Sequence, residues 1–422
     1  MAILTRPTQA LVYAALLTHS VLATTITNTC LPGPFTRPDQ VPCLGDPSLL
    51  PHIARGSAAL STSHPPWTHI PFCPDQTDYC VFTHNAFHQW GVSILGIPAA
   101  KAKTVNETSS IPFVESLFLS NPGLITKKLE QKDPPFEIID IPNKGKGVIA
   151  TRNIKRGTVI MVDQAVMLVE TVFPQKVTRP LGREMLNEGM ARLSEEGSEV
   201  ARALARSGKV QDEISRAEDI IKTNAFSVTL GGRAYMALFP LVSRMNHGCR
   251  PLAMVNWDSE TLTNTIKAFR DIEEGEEITV SYSDLGMLST ERLAVLRSRW
   301  GFTCSCELCS SSEEDLAASD ARRKRFNELG VKVIRTLEDG DIEKAIGYHR
   351  EVIQAIQEEQ LTPHLGDYYE VAARLYTAVG DKKSAAKFAR FAVEEYTGFG
   401  KGLEGKEDLQ LLAKKAVPAD ES

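Results

Sequence analysis

A chain of 422 residues with 42% hydrophobic and 24% charged residues has the apolar content for two or three folded domains and excludes wholesale disorder. The formal net charge of −6 at pH 7 excludes a chain whose main business is coating nucleic acid, because phosphate binding needs clustered Lys and Arg. No direct nucleic-acid binding is expected, whereas a basic, lysine-rich peptide partner is compatible with the charge.

At the N-terminus, Arg6 is followed by a mostly apolar stretch, Ala10–Ala23, that closes on Val21-Leu22-Ala23. This has the form of a secretory signal peptide (residues 1–23) cleaved after Ala23; the alternative is a disordered N-terminus or a wrongly chosen start. Thr18, His19 and Ser20 interrupt the stretch, which is too short to span a bilayer, and no later segment reaches spanning length. If the signal is real, the chain enters the secretory pathway or leaves the cell.

Residues 24–130 are rich in Pro, Thr and Ser, and an irregular, loop-rich segment is expected there. Cys30, Cys43, Cys73 and Cys80, at wide and uneven spacing, read as disulfide partners whose pairing is open. Asn106-Glu107-Thr108 is a glycosylation sequon, meaningful only on a secretory route.

From Phe136 the pattern changes to short β-branched runs, Phe136–Ile139 and Thr158–Val162, separated by Gly145, Gly147 and Gly157, which predicts strands joined by tight turns. Residues 182–224 are predicted helical, with Met185, Leu186, Met190, Leu193, Val200 and Leu204 mostly at helical spacing. Strand patterns resume at Leu252–Trp257, Leu262–Phe269 and Glu277–Ser281. The expected fold class is therefore α+β: a β-rich domain, 136–283, interrupted by a helical insert. Residues 313–415 read as helical, with Gly340-Asp341 and Gly380-Asp381 opening two similar segments forty residues apart. Stacked helical hairpins are expected, similar to tetratricopeptide (TPR) repeats, and offer a surface for protein partners.

Cys304-Ser305-Cys306-Glu307-Leu308-Cys309 offers three thiolates in six residues. Tetrahedral zinc needs a fourth ligand, and Cys249 is the one other cysteine of the β-rich region. A Zn2+ site of Cys249, Cys304, Cys306 and Cys309 is expected, with His247 outside the ligand shell. Buried or disulfide-bonded cysteines are the alternative. Disulfides and zinc thiolates usually belong to different redox compartments.

Four motifs occur in order: Asn143-Lys144-Gly145-Lys146-Gly147-Val148 with the run to Gly157, Arg244-Met245-Asn246-His247-Gly248-Cys249-Arg250-Pro251, Gly275–Tyr282, and Trp300-Gly301-Phe302-Thr303-Cys304 leading into the cysteines. Together they resemble SET-domain protein-lysine methyltransferases. A helical insert, a post-SET zinc region (284–312) and trailing helices are most similar to the SMYD-like group and its fungal relatives. Two departures stand out: residues 171–225 hold no cysteine, so no zinc-binding MYND finger, and Leu252 occupies the place of the group's usual Asn.

The resemblance implies transfer of a methyl group from S-adenosylmethionine to a lysine of a protein or peptide, possible histone substrates included. It implies Tyr282 as the central active-site hydroxyl, also at the cofactor. Lys144, Gly145, Lys146, Gly147, Asn224, Asn246 and His247 are the implied cofactor-binding residues, and Trp300 and Phe302 wall the lysine channel. Glu273, Glu274, Glu276 and Glu277 read as a solvated turn. The competing reading is a catalytically silent SET scaffold that binds partners through its C-terminal helices. The usual compartment of the family, nuclear or cytoplasmic, is the alternative to secretion.

Overall fold

The computed structural model describes residues 65–102, 109–129, 131–207, 212–361, 365–399 and 406–414. The expected signal peptide, Cys30, Cys43 and the sequon at Asn106 lie outside the described residues.

The first described elements correct the expectation of a separate irregular segment. Strands Cys80–His84 (β1) and Val92–Gly96 (β2) pair antiparallel, followed by helices Ile111–Ser120 (α1) and Pro122–Thr126 (α2). β2 then runs parallel to Met167–Glu170 (β6), so the N-terminal segment is part of the main sheet. Every residue of β1 and β2 is buried, with Phe82 and Ile94 in one apolar cluster and Val81 and Leu95 in another. A strand covered on both faces shows no polar alternation, so its sequence carries little strand signal. Cys73 and Cys80 form a disulfide at the entry to β1, resolving one pairing that spacing left open.

Phe136–Ile141 (β3) and Gly145–Ala150 (β4) form a hairpin. Its turn needs left-handed backbone at Asn143 (φ 63°) and Gly145 (φ 72°), residue types that adopt it at low cost. Val159–Gln164 (β5) precedes β6. The insert then folds as helices Phe173–Lys176 (α3), Arg179–Ala191 (α4), Glu195–Arg202 (α5) and Arg216–Asn224 (α6). It begins slightly earlier than expected, and α4 lays Met185, Leu186 and Met190 over β1 and β2. Phe226–Leu230 (β7) and Arg233–Leu238 (β8) complete a five-stranded sheet of order β1-β2-β6-β8-β7. Ala253–Asp258 (β9) and Thr263–Ala268 (β10) join β5 in a three-stranded sheet of order β5-β10-β9.

Ser289–Trp300 (α7) leads through the cysteine loop to Glu313–Glu338 (α8), Ile342–Glu358 (α9), Leu365–Ala378 (α10), Lys382–Phe399 (α11) and Glu407–Lys414 (α12). The faint forty-residue repeat has a local cause. Gly340 (φ 79°) and Gly380 (φ 78°) each end a helical segment in left-handed backbone, and the Asp after each accepts an amide hydrogen bond that caps the next helix. Helices α8 and α9 pack as one pair and α10 and α11 as another. Among the described residues, no helix is long and apolar enough to cross a membrane.

Candidate active site

The expected strand Glu277–Ser281 is an extended segment held on both sides instead of a ladder strand. On one side Ile278 N donates to Val148 O at 2.8 Å and Ala150 N to Glu276 O at 3.0 Å. On the other, Gly248 N donates to Val280 O at 2.9 Å and Val280 N to Asn246 O at 3.0 Å. Three sequence motifs, 132 residues apart at their extremes of Val148 and Val280, thus meet edge to edge.

Tyr282 leaves this segment beside the cysteine loop. Its hydroxyl donates to Met245 O at 2.6 Å, and its amide donates to Nδ1 of His247 at 2.9 Å. The Trp300 ring lies 5.1 Å from the Tyr282 ring, and the Phe302 ring is 6.4 Å from it and 6.5 Å from His247. Tyr282, Trp300, Phe302 and His247 therefore converge. Burial, then the nearby Glu277 carboxylate, push the Tyr282 phenol well above its ordinary range, so it stays an uncharged hydroxyl.

The glycine loop meets the second motif through Asn246. The Asn246 amide donates to Lys146 O at 3.1 Å and to Glu277 Oε1 at 2.8 Å, while Lys144 Nζ lies 2.6 Å from Glu277 Oε2. A Cβ on Gly147 would lie 3.1 Å from Asn246 Nδ2 and 2.1 Å from the Ile141 Cδ1, so only glycine leaves this backbone bare. The Lys146 side chain instead faces solvent, 2.8 Å from Asp140. Glu277 corrects the solvated-turn reading: it is the shared anchor of Lys144 and Asn246.

The Asn224 amide is turned back into the helical insert. It donates to Ala205 O and Ile220 O, both at 2.7 Å. The neighbouring Thr223 carbonyl accepts from Trp300 Nε1 at 3.1 Å, which ties the insert to the wall.

The four cysteines come together. Their sulfurs all lie within 4.8 Å of one another, with Cys249 4.0 Å from Cys304 and 3.6 Å from Cys309. A zinc–sulfur bond of 2.3 Å gives a tetrahedron with edges of about 3.8 Å, so the donor set fits Zn2+ and is far too open for disulfides. Hydrogen bonds from Cys304, Cys306 and Cys309 drive Cys249 well below the usual thiol range, while Cys249 and the others drive Cys304 up. Four thiols this close do not ionise together unless a cation balances them. His247 lies outside the set, with Nε2 3.4 Å from the Cys249 sulfur.

Two further residues escaped the motif reading. Asp163, buried on β5, accepts the amides of Leu241 at 2.7 Å and Val242 at 2.8 Å, fixing the turn that enters Met245–Cys249. Arg323, from α8, donates to Cys249 O at 2.9 Å. An acid after the β-branched run Val159–Val162 was a visible signal for Asp163; Arg323 had none.

Residues 145–283 match the family model of the SET domain, and this part of the chain is a SET domain. The chain is similar to histone-lysine N-methyltransferase set5 of Schizosaccharomyces pombe, 33% identical over 194 residues (45% of this chain, 56% of that protein). It is likewise similar to N-lysine methyltransferase SMYD2-B of Danio rerio, 33% identical over 102 residues (24% of this chain, 23% of that protein). Similarity to histone-lysine N-methyltransferase Smyd1 of Mus musculus is 29% over 212 residues, 43% of each chain. The chain thus spans between about a quarter and just over half of these relatives' lengths. Over these stretches the chain is similar to lysine methyltransferases of the SMYD and set5 kinds, and its SET-domain match is confined to residues 145–283.

Proposed function

We propose that this chain is a protein-lysine N-methyltransferase that uses S-adenosylmethionine. The observation that carries the reading is the convergence of the uncharged hydroxyl of half-buried Tyr282, the Trp300 and Phe302 rings and the Asn246–His247 segment. When bound, S-adenosylmethionine supplies an electrophilic methyl group on a sulfonium. Lys144–Gly147, Asn246 and His247 would hold it, with Asn224 contributing through the segment it caps.

A lysine amine is neutral at pH 7 about once in 2,500, roughly 4.6 kcal/mol uphill. An apolar wall of Trp300, Phe302 and Tyr282 disfavours the ammonium form. The Tyr282 hydroxyl hydrogen-bonds without adding charge, and its tether to Met245 O limits where it points. Cys249, Cys304, Cys306 and Cys309 would hold Zn2+ structurally, locking the Trp300–Phe302 segment in place. The trailing helical hairpins, TPR-like in arrangement, are a surface for protein partners, and the names of set5 and Smyd1 point to histones as one substrate class and to a nuclear or cytoplasmic site.

Calorimetry with S-adenosylmethionine and mass analysis of a lysine-rich protein mixture test the reading. Saturable binding and a 14 Da gain on lysine, about the mass of one CH2, are expected; absence of both removes the enzyme reading and leaves the silent scaffold.

One observation favours a second reading of compartment. Cys73 and Cys80 are disulfide-bonded, and such bonds persist in oxidising compartments. Alkylation of the chain in intact cells decides it: a protected Cys73–Cys80 pair in secreted material supports the signal peptide, and alkylated cysteines in a retained chain remove it.

A further inference from the structure

Arg323 and Glu359 form a charged pair with no exposed surface to speak of, 0% and 1% accessible. The guanidinium bonds three parts of the chain: Nε donates to Glu359 Oε1 at 3.0 Å, Nη1 to Leu285 O at 2.7 Å and to Met287 O at 3.5 Å, and Nη2 to Cys249 O at 2.9 Å. Glu359, at the end of α9, also accepts from Arg250 at 3.1 Å. The C-terminal helices therefore grip the site's second motif twice, at the carbonyl of Cys249 and at the side chain of Arg250. They also hold the chain at the carbonyl of Leu285, three residues beyond Tyr282.

We propose that Arg323 is a positioning residue of the site, so that the C-terminal helices complete the methyltransferase centre besides presenting a surface. This rests on the reading given under Proposed function. A planar guanidinium fork fixes the angle between two carbonyls, which the single point charge of a lysine does not. The Glu359 carboxylate balances the Arg323 charge, so the guanidinium acts on the Cys249 carbonyl as an oriented donor. A wholly buried ion pair is costly, and apolar residues of similar volume often serve stability as well. Its presence here, with both Nη atoms of the guanidinium directed to carbonyls of the Cys249 and Leu285 segments, is explained by placement of Cys249 and Leu285.

The test uses the full chain loaded with Co2+, whose thiolate absorption bands report the cysteine site, and compares Arg323→Lys, Glu359→Gln and a surface control. The control is Arg325→Gln, on the same helix as Arg323, which breaks an exposed pair with Glu351 of α9. Arg323→Lys is expected to melt cooperatively, to shift the cobalt bands and to release metal to a chelator about tenfold faster. Its kcat for methyl transfer is expected to fall about tenfold, with KM for S-adenosylmethionine nearly unchanged because the Gly145–Gly147 loop is untouched. A folded Arg323→Lys with wild-type spectrum, release rate and kcat overturns the proposal. Should that variant fail to fold, Glu359→Gln decides by the same readouts, and unchanged metal release overturns it. A wild-type chain that takes up no Co2+ also overturns it. A wild-type chain that takes up Co2+ but binds no S-adenosylmethionine defeats the enzyme reading, while metal release still decides the role of Arg323.

Discussion

The amide of Tyr282 donates to Nδ1 of His247 at 2.9 Å. A backbone N–H only donates, so Nδ1 accepts and the ring proton sits on Nε2, facing the Cys249 sulfur at 3.4 Å. One imidazole thus couples the proposed catalytic hydroxyl to the cysteine site. Replacing His247 with Phe keeps a ring in place and leaves the Tyr282 amide without its acceptor. An unmet buried N–H costs about 1–3 kcal/mol, so methyl transfer should fall roughly ten- to hundredfold, read as kcat/KM, with faster metal loss in a chelator assay. Wild-type rates in both assays would refute the coupling.

Tyr282→Phe should leave the fold intact and reduce methyl transfer by about a hundredfold, the usual loss on removing one aimed hydrogen-bond donor. Burial and Glu277 hold the phenol in its neutral form, so the wild-type rate should rise with pH as substrate lysine deprotonates, with no downturn from Tyr282 below pH ~10. A variant with full activity removes Tyr282 from the centre.

Stripping the metal, or making Cys306→Ser, should release the 300–309 loop before the domain unfolds. Trp300 and Phe302 share an apolar cluster with Cys249, Cys304 and Leu308, so their fluorescence and the methyl-transfer rate should drop together. The sheets, whose cores lie elsewhere, should keep their circular dichroism. Metal content by mass spectrometry gives the stoichiometry, and a loop unaffected by full stripping would exclude a structural zinc.

Burial pushes the Asp163 carboxyl up to about 7, against the amides of Val242 and Leu241 that favour its charge. A folded-state pKa above the unfolded value near 3.9 means the native state holds the extra proton. The stability from this group is then full below pH ~4 and is lost as pH rises through 7, by up to about 4 kcal/mol. Relative to Asp163→Asn, the wild type should lose stability across that window in urea titrations. Parallel pH curves for the two proteins would show that Asp163 does not titrate there.

What the sequence determined by itself is whatever a few neighbouring residues decide. The cysteine run 304–309 is one such feature, since three thiols within six residues face one point on a compact loop. The turns at Gly145, Gly340 and Gly380 are another, because positive φ is a local property. The order of the SET motifs was legible for the same reason, as was the helical periodicity of the insert. Only the tertiary structure brought strands β1 and β2 into the main sheet, because strands buried on both faces lose the alternation that marks them. It alone turned Glu277 from a surface acid into the anchor of Lys144 and Asn246, and turned the Asn224 amide back to Ala205 and Ile220. The separation of 74 positions between Cys249 and Arg323 makes the same point: hydrogen bonds that join distant segments are set by how whole elements pack, and no local pattern records them.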